Sequence, residues 1–213
     1  VLRSGKRLTI ELSNFQKESI NKLTMEKSLE IVRRRVDEAG TREPSIQRQG
    51  DSRILVQVPG MGSAEELLQL IGKTARLTFH KVLGQKTTSE HQLDSDQIIL
   101  PDEGGNNYFI LEQVPVVSGE SLTNAQPSFD QNNRPAVSFQ FNPTAGRKFG
   151  DYTKSNIGEP FAIVLDGAVI SAPVIQSHIP GGTGIITGSF SVDESNRLAI
   201  LLRAGALPAG IRV

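Results

Sequence analysis

Leu8, Ile10 and Leu12 alternate with Arg7, Thr9 and Glu11, the period-two pattern of a half-buried strand running from Arg7 to Leu12. The period then lengthens. Met25, Leu29, Val32, Val36 and Ala39 recur at steps of three and four, which predicts a helix with one apolar stripe, and Gly40 supplies its left-handed stop. Arg33, Arg34 and Arg35 are expected to flank that stripe on a solvated face, with Glu30, Asp37 and Glu38 nearby. Two extended runs, Ser45 to Gln49 and Arg53 to Val58, joined by Gly50-Asp51-Ser52, predict a hairpin. Ser63-Ala-Glu-Glu66 reads as a capping box opening a short helix that buries Leu67, Leu68 and Ile71 and ends at Gly72. Ala75, Leu77 and Phe79 then alternate with Arg76, Thr78 and His80 in a strand to Val82.

The resulting order, β-α-β-β-α-β, is that of a ferredoxin-like split βαβ unit. From Gly84 to about Asn133 the chain turns polar, and only short apolar islands at Ile98 to Leu100, Tyr108 to Leu111 and Val114 to Val117 interrupt it. Periodicity returns with Val137, Phe139 and Phe141 on one face of a strand. Asn142 as cap and Pro143 at the first helical position open a helix carrying Ala145, Phe149 and Tyr152 inward. Phe161 to Leu165, Asp166-Gly167 and Ala168 to Ile175 form the strongest hairpin signal, because Asp-Gly tolerates the positive φ of a two-residue turn. Pro173 cannot donate to a ladder, which places the second strand at an edge or at a bulge. A strand over Gly184 to Phe190 and a helix from the capping box Ser191-Val-Asp-Glu194 to Ala204, buried through Leu198, Leu201 and Leu202, complete the pattern. The segment after Gly205 is expected to return to the first module as a strand. The fold predicted is α+β: a ferredoxin-like base of residues 1–84, completed by about 206–213, with a head of residues 85–205 inserted.

Lys plus Arg and Asp plus Glu both number 23, so no net field draws in nucleic acid. Cysteine is absent, which removes disulfides, thiolate nucleophiles and Cys-ligated metals, and His80, His91 and His178 fit no imidazole metal motif. No apolar run of membrane-spanning length occurs, and a chain opening on Val and closing on Ile211-Arg212-Val213 reads as a piece of something longer. Gly72-Lys73-Thr74 resembles the tail of a phosphate loop. That motif needs Gly where Leu67 stands, however, and a helix start where this triplet ends one. Gly60-Met61-Gly62 precedes a helix, but Glu65 and Glu66 would repel an anion there. Acid pairs such as Asp94 with Asp96, or Asp102 with Glu103, belong to the polar loop. No catalytic residue, metal ligand or cofactor site is assigned.

The string Ile31-Val-Arg-Arg-Arg-Val-Asp-Glu-Ala-Gly40, followed by Pro44-Ser-Ile-Gln-Arg-Gln-Gly-Asp-Ser-Arg-Ile-Leu-Val-Gln-Val-Pro-Gly60, resembles the large periplasmic domain of the SecD family, subunits of the bacterial Sec protein-export machinery. Asn156-Ile-Gly-Glu-Pro-Phe-Ala-Ile-Val-Leu-Asp166, Ile186-Thr-Gly-Ser-Phe190 and Leu201-Leu-Arg-Ala-Gly-Ala-Leu-Pro208 resemble later signatures of the same family, in the same order. Residues 84–133 carry no such motif. The resemblance implies a position on the periplasmic side of the inner membrane, with membrane attachment and proton conduction in segments outside this stretch. It implies unfolded preprotein, SecF and the SecYEG translocon as partners of the full-length protein, and no enzymatic activity for this part.

Gripping an unfolded chain regardless of its sequence calls for an apolar groove and an unpaired strand edge. Phe139, Phe141, Phe149, Ile163, Leu165 and Val169, with an edge near Pro173, are the candidate region, and core packing is the competing role for each. Gly84 and Gly205, at the two boundaries, are the candidate pivots of a swinging head. Two other functions are open: a passive envelope adaptor docking a folded partner through the base sheet, and an anion- or nucleotide-binding enzyme using the Gly60 to Ser63 turn.

Overall fold

The computed structural model describes residues 2–4, 7–9, 12–41, 43–60, 63–89 and 92–212. Strands β1 (Leu2–Ser4) and β2 (Arg7–Thr9) pair antiparallel, while Ile10 and Glu11 of the expected first strand lie outside the described residues. Helix α1 (Asn14–Glu38) opens on a reciprocal capping box in which Ser13 Oγ accepts the Gln16 N–H and Gln16 Oε1 accepts the Ser13 N–H, both at 3.2 Å. Its inner stripe buries Val32 and Val36 completely. The expected hairpin forms from β3 (Ser45–Gln49) and β4 (Arg53–Gln57), and α2 (Ala64–Ile71) begins where Ser63 Oγ accepts the Glu66 N–H. Val32, Val36, Ile46, Leu70, Ile71 and Leu207 pack together as the core of this first lobe.

The second lobe is built from β5 (Leu77–Lys86), β6 (Gln97–Pro101), β7 (Tyr108–Glu112), β8 (Val117–Ser118), β9 (Leu122–Phe129) and β10 (Pro135–Phe141), then α3 (Pro143–Ser155), β11 (Phe161–Leu165), β12 (Ala168–Ser171), β13 (Thr183–Thr187) and α4 (Val192–Ala204). One sheet has the order β12-β11-β5-β7-β6, with β8 also on β5; a second has the order β13-β10-β9. Period-two alternation lets β11 serve two cores at once. Phe161 and Ile163 join the main one, whereas Ala162 and Val164 join a smaller one with Leu111 and Val169. In the main core Phe79 sits among Phe139, Phe141, Phe149 and Phe161 at centroid distances of 5.3, 5.2, 6.0 and 6.3 Å, which fastens the two sheets and α3 around one aromatic cluster.

The α+β class, both capped helices α3 and α4, and the Asp166-Gly167 turn with φ of 49° and 85° match expectation. The pairing of the base strands differs. The strand expected to close the ferredoxin-like set pairs instead with β11, β7 and β8, because its inward residues Leu77 and Phe79 complete the aromatic core of the second lobe. β2 likewise pairs locally with β1 rather than with β3 or β4. After α4 the chain returns to the first lobe as expected, burying Leu207, but as irregular backbone and not as a strand. The polar region from Gly84 holds β6, β7 and β8, which coincide with the apolar islands, and β9, which no island marks; the pairing of all four is not legible in the sequence.

His80, on β5, is 4% exposed; its Nδ1 lies 2.7 Å from the Glu112 carbonyl and its Nε2 2.9 Å from Thr78 Oγ1. A carbonyl only accepts, so Nδ1 carries the proton and Nε2 accepts from the Thr78 hydroxyl. Burial holds the imidazole below its usual pKa, and nearby Arg76 adds to that, against the hydrogen bond to Glu112. Below about pH 6.5 the unfolded chain takes up a proton that the native His80 resists, so this residue's share of stability is present at neutral pH and is lost as pH falls. Denaturant titrations at pH 7 and pH 5 are expected to show His80→Gln with a flatter decline than the parent, the difference being limited by one proton to about 1.4 kcal/mol per pH unit.

Candidate functional site

The residues named as a peptide-binding region are brought together, but inside the molecule. Phe139, Phe141, Phe149 and Ile163 are the main core, Val169 is buried in the smaller one, and Leu165 and Pro173 are half-buried. The physical reason is the aromatic cluster itself, whose rings pack edge to face at centroid distances of 5.2, 5.2 and 5.5 Å. The edge near Pro173 is occupied too. Its carbonyl accepts the Phe161 N–H at 3.0 Å, Pro160 bridges Val174, and the Glu103 N–H donates to the Val169 carbonyl at 3.2 Å, curling β6 toward β12.

An open edge does exist, on the three-stranded sheet. The Phe141 N–H donates to the Gly182 carbonyl, so antiparallel alternation turns the backbone of Gly184 and Ile186 toward β10 and that of Thr183, Ile185 and Thr187 outward. None of those three residues has a backbone partner beyond β10 among the described residues. The opposite edge is blunted. Along β9 the same alternation turns Ala125 and Pro127 outward, where Pro127 has no N–H and the Ala125 carbonyl is taken by the Arg203 guanidinium at 2.6 Å. Beside the open edge lies a shallow depression of about 470 Å³, lined by Asn124, Ser138, Phe139, Gln140, Thr183, Gly184 and Ile185, none of them charged. Gly184 is required there, since a Cβ would meet the Phe139 ring at 2.5 Å. Three β-branched residues at period two in a glycine-flanked stretch were the sequence signal for this edge.

The junction of the lobes holds the residue that the sequence placed wrongly. Arg35 is fully buried, and its guanidinium donates to the carbonyls of Leu70, Ile71, Lys73, Thr74 and Gly205. Position 35 falls three residues after Val32, hence on the apolar stripe and not beside it. The charge is balanced by carbonyl dipoles, two of them at the C-terminus of α2, and burial lowers its pKa to about 10, with Asp166 acting in the opposite sense. Asp166 accepts from the Ala75 and Arg76 N–H groups at 3.0 and 2.8 Å and from the Thr74 hydroxyl. Gly205 stands at the return crossing with φ 93°, whereas Gly84 lies within β5, paired with Ile110, so the outbound crossing is at Thr74–Ala75. Gly60 adopts φ 80° as a turn should, and Gly62 lies outside the described residues, as does His91.

Comparison with known proteins adds three kinds of likeness. The SecDF P1 head subdomain matches residues 95–209, and the N-terminal part of the P1 domain of protein translocase subunit SecDF matches residues 25–84. The chain is 57% identical to protein translocase subunit SecD of Rhodobacter capsulatus over 99% of its own length, and 45% identical to that of Rickettsia conorii over 91%. It spans 38% of the length of each of those relatives. Among solved structures, one described as a membrane component SecDF that enhances protein export superposes with a TM-score of 0.69 at 34% identity, covering 96% of both chains. SecDF in a super-membrane-facing form superposes at 0.72 with 36% identity, covering 88% of this chain and 27% of the other.

Proposed function

The chain belongs to the SecD family of protein translocase subunits, as its P1 domain, and from that membership we propose that it holds an unfolded polypeptide during export and releases it in a cycle driven by the proton-motive force. In this reading it works on the periplasmic side of the inner membrane. The first lobe is a base close to the bilayer, and the second is a head that meets the emerging preprotein. Other segments of the full-length protein engage SecF and SecYEG and carry the protons, so this part performs no chemistry of its own.

The observation that carries the proposal is the open edge of β13 on a sheet whose other edge is blunted. A polypeptide adding as a fourth strand would meet the outward N–H and C=O groups of Thr183, Ile185 and Thr187, which do not depend on its side chains. The uncharged depression alongside would accept small or polar residues of either charge class without repulsion. A chain caught and released repeatedly needs weak binding, on the order of micromolar to millimolar, or about 4 to 8 kcal/mol. One elementary charge moved through 100 mV supplies about 2.3 kcal/mol, so one or two protons shift a capture–release equilibrium tenfold or more. Docking of a folded partner is a second reading, favoured by Phe15, Ile20 and Leu23, which are 80, 49 and 53% exposed along the first turns of α1.

Fluorescence anisotropy with a labelled, unfolded peptide tests the first reading. Ile185→Pro removes one outward N–H at an edge position that tolerates proline, and is expected to weaken binding about tenfold. Phe129→Ser, at the blunted edge, is expected to leave affinity unchanged. Equal affinity for parent and Ile185→Pro would rule out strand addition at β13, and binding lost only on Phe15→Ser would favour the docking helix.

A further inference from the structure

We infer that Ala75 is a strained pivot between the two lobes, locked in its present conformation by Asp166, while Arg35 pins the outbound and return crossings together so that the head can turn without the neck coming apart. The inference rests on the reading of a head that moves relative to its base.

The covalent chain passes between the two main cores at two places, from Ile71 to Leu77 and from Leu202 to Leu207. The crossings are neighbours in space, because the Leu207 N–H donates to the Thr74 carbonyl at 2.9 Å. Two adjacent strands define a hinge axis; two distant ones would brace the lobes against each other. Both crossings carry unusual backbone. Gly205 adopts φ 93° and ψ 168°, a region open essentially to glycine alone, and Ala75 adopts φ 57°, where an L-residue crowds its own Cβ. Such strain persists only where neighbours hold it, and the Asp166 carboxylate does so: it engages the Thr74 hydroxyl, the Ala75 N–H and the Arg76 N–H, a continuous run centred on Ala75. Asp166 comes from the β11–β12 turn, so the lock belongs to the head.

Arg35 belongs to the base and grips the other side of the same residues. Its donors reach Lys73 and Thr74 on the outbound crossing and Gly205 on the return. Release of Asp166 would let Ala75 relax to the extended region, reversing the direction of the chain there, while the guanidinium still held both crossings. A second contact fixes the present orientation from further out: Arg203, at the end of α4, donates to the Glu38 carboxylate of α1 at 2.8 and 3.0 Å. That pair is partly exposed and easily broken. Beside the pivot a crevice of about 390 Å³, with Lys27, Arg76, Pro115, Glu120, Leu202 and Pro208 among its walls, leaves room for the head to turn toward α1.

The chain contains no cysteine, so spin labels at Gln49→Cys and Gln126→Cys report the distance between the lobes by double electron–electron resonance. Ala75→Gly removes the Cβ penalty and is expected to raise the ratio of the present orientation to any other by about five- to thirtyfold. Asp166→Asn, and independently Glu38→Gln, are expected to lower it, the latter by up to about fivefold. Should Asp166→Asn fail to fold, Ala75→Gly and Glu38→Gln still decide the matter. Identical distance distributions in all folded variants, or a shift of Ala75→Gly in the same direction as the other two, would overturn the pivot. Variants that shift the distances in a protein that binds no unfolded peptide would leave the hinge standing and remove the holding function; peptide binding with unmoved distances would do the reverse.

Discussion

A guanidinium with no carboxylate in hydrogen-bonding contact among the described residues holds the place where the two lobes join. Arg35 is surrounded by carbonyl oxygens from the end of α2, from the outbound crossing and from the return crossing. Burying a full charge is costly unless it is well hydrogen-bonded, and five carbonyls from separate stretches of chain accept from its two terminal nitrogens, while Nε has no partner among the described residues. The arrangement works in both directions. The arginine engages carbonyls at the end of a helix and on both irregular crossings together, and shares that of Thr74 with the Leu207 N–H. Removing it would take this partner from several acceptors where the chain crosses between the lobes.

The second lobe depends on a different constraint, the filling of an aromatic core between two sheets. Phe79 is central to it, and because Phe79 sits near the start of the strand that leads directly out of the neck, the core of the head and the geometry of the junction are connected through the first residues of β5. The same chain continuity governs the return, where Leu202 faces the aromatic core and Leu207, just past Gly205, faces the core of the first lobe. Edges are treated unequally. Proline and an arginine side chain close one side of the β13-β10-β9 sheet, while three β-branched residues leave the other side available. An exposed, unpaired strand is an aggregation liability that proteins commonly suppress, so its retention on one side only is the feature that most needs a function.

Much of this was legible in the sequence. Asn142-Pro143, Ser191 with Glu194 and Asp166-Gly167 each specify their own local backbone, and α3, α4 and the β11–β12 turn lie where those signals put them. What failed was partnership at long range. Ala75 to Val82 reads as a strand from its alternation, but the same alternation fits either lobe, and only the shape of the aromatic core decides for the head. Arg35 reads as solvated together with Arg33 and Arg34 because Glu30, Asp37 and Glu38 lie nearby, although its spacing from Val32 places it on the buried stripe. The phenylalanines at positions 139, 141 and 149 had the periodicity of core and proved to be core, whereas the open edge was carried by Thr183 and Ile185, which no apolar pattern marks. Residues 84–133 are dominated by polar residues, Gly and Asn, so their strands show only as short apolar islands.

Export by the full-length protein is proposed to require the two lobes to move relative to each other. The most direct measurement is a reversible disulfide in that protein, between cysteines replacing Lys27 on the base and Glu120 on the head, which line the same crevice. With cross-linking complete, secretion of a reporter preprotein is predicted to fall severalfold and to recover when the bond is reduced. Undiminished secretion at full cross-linking would contradict the account.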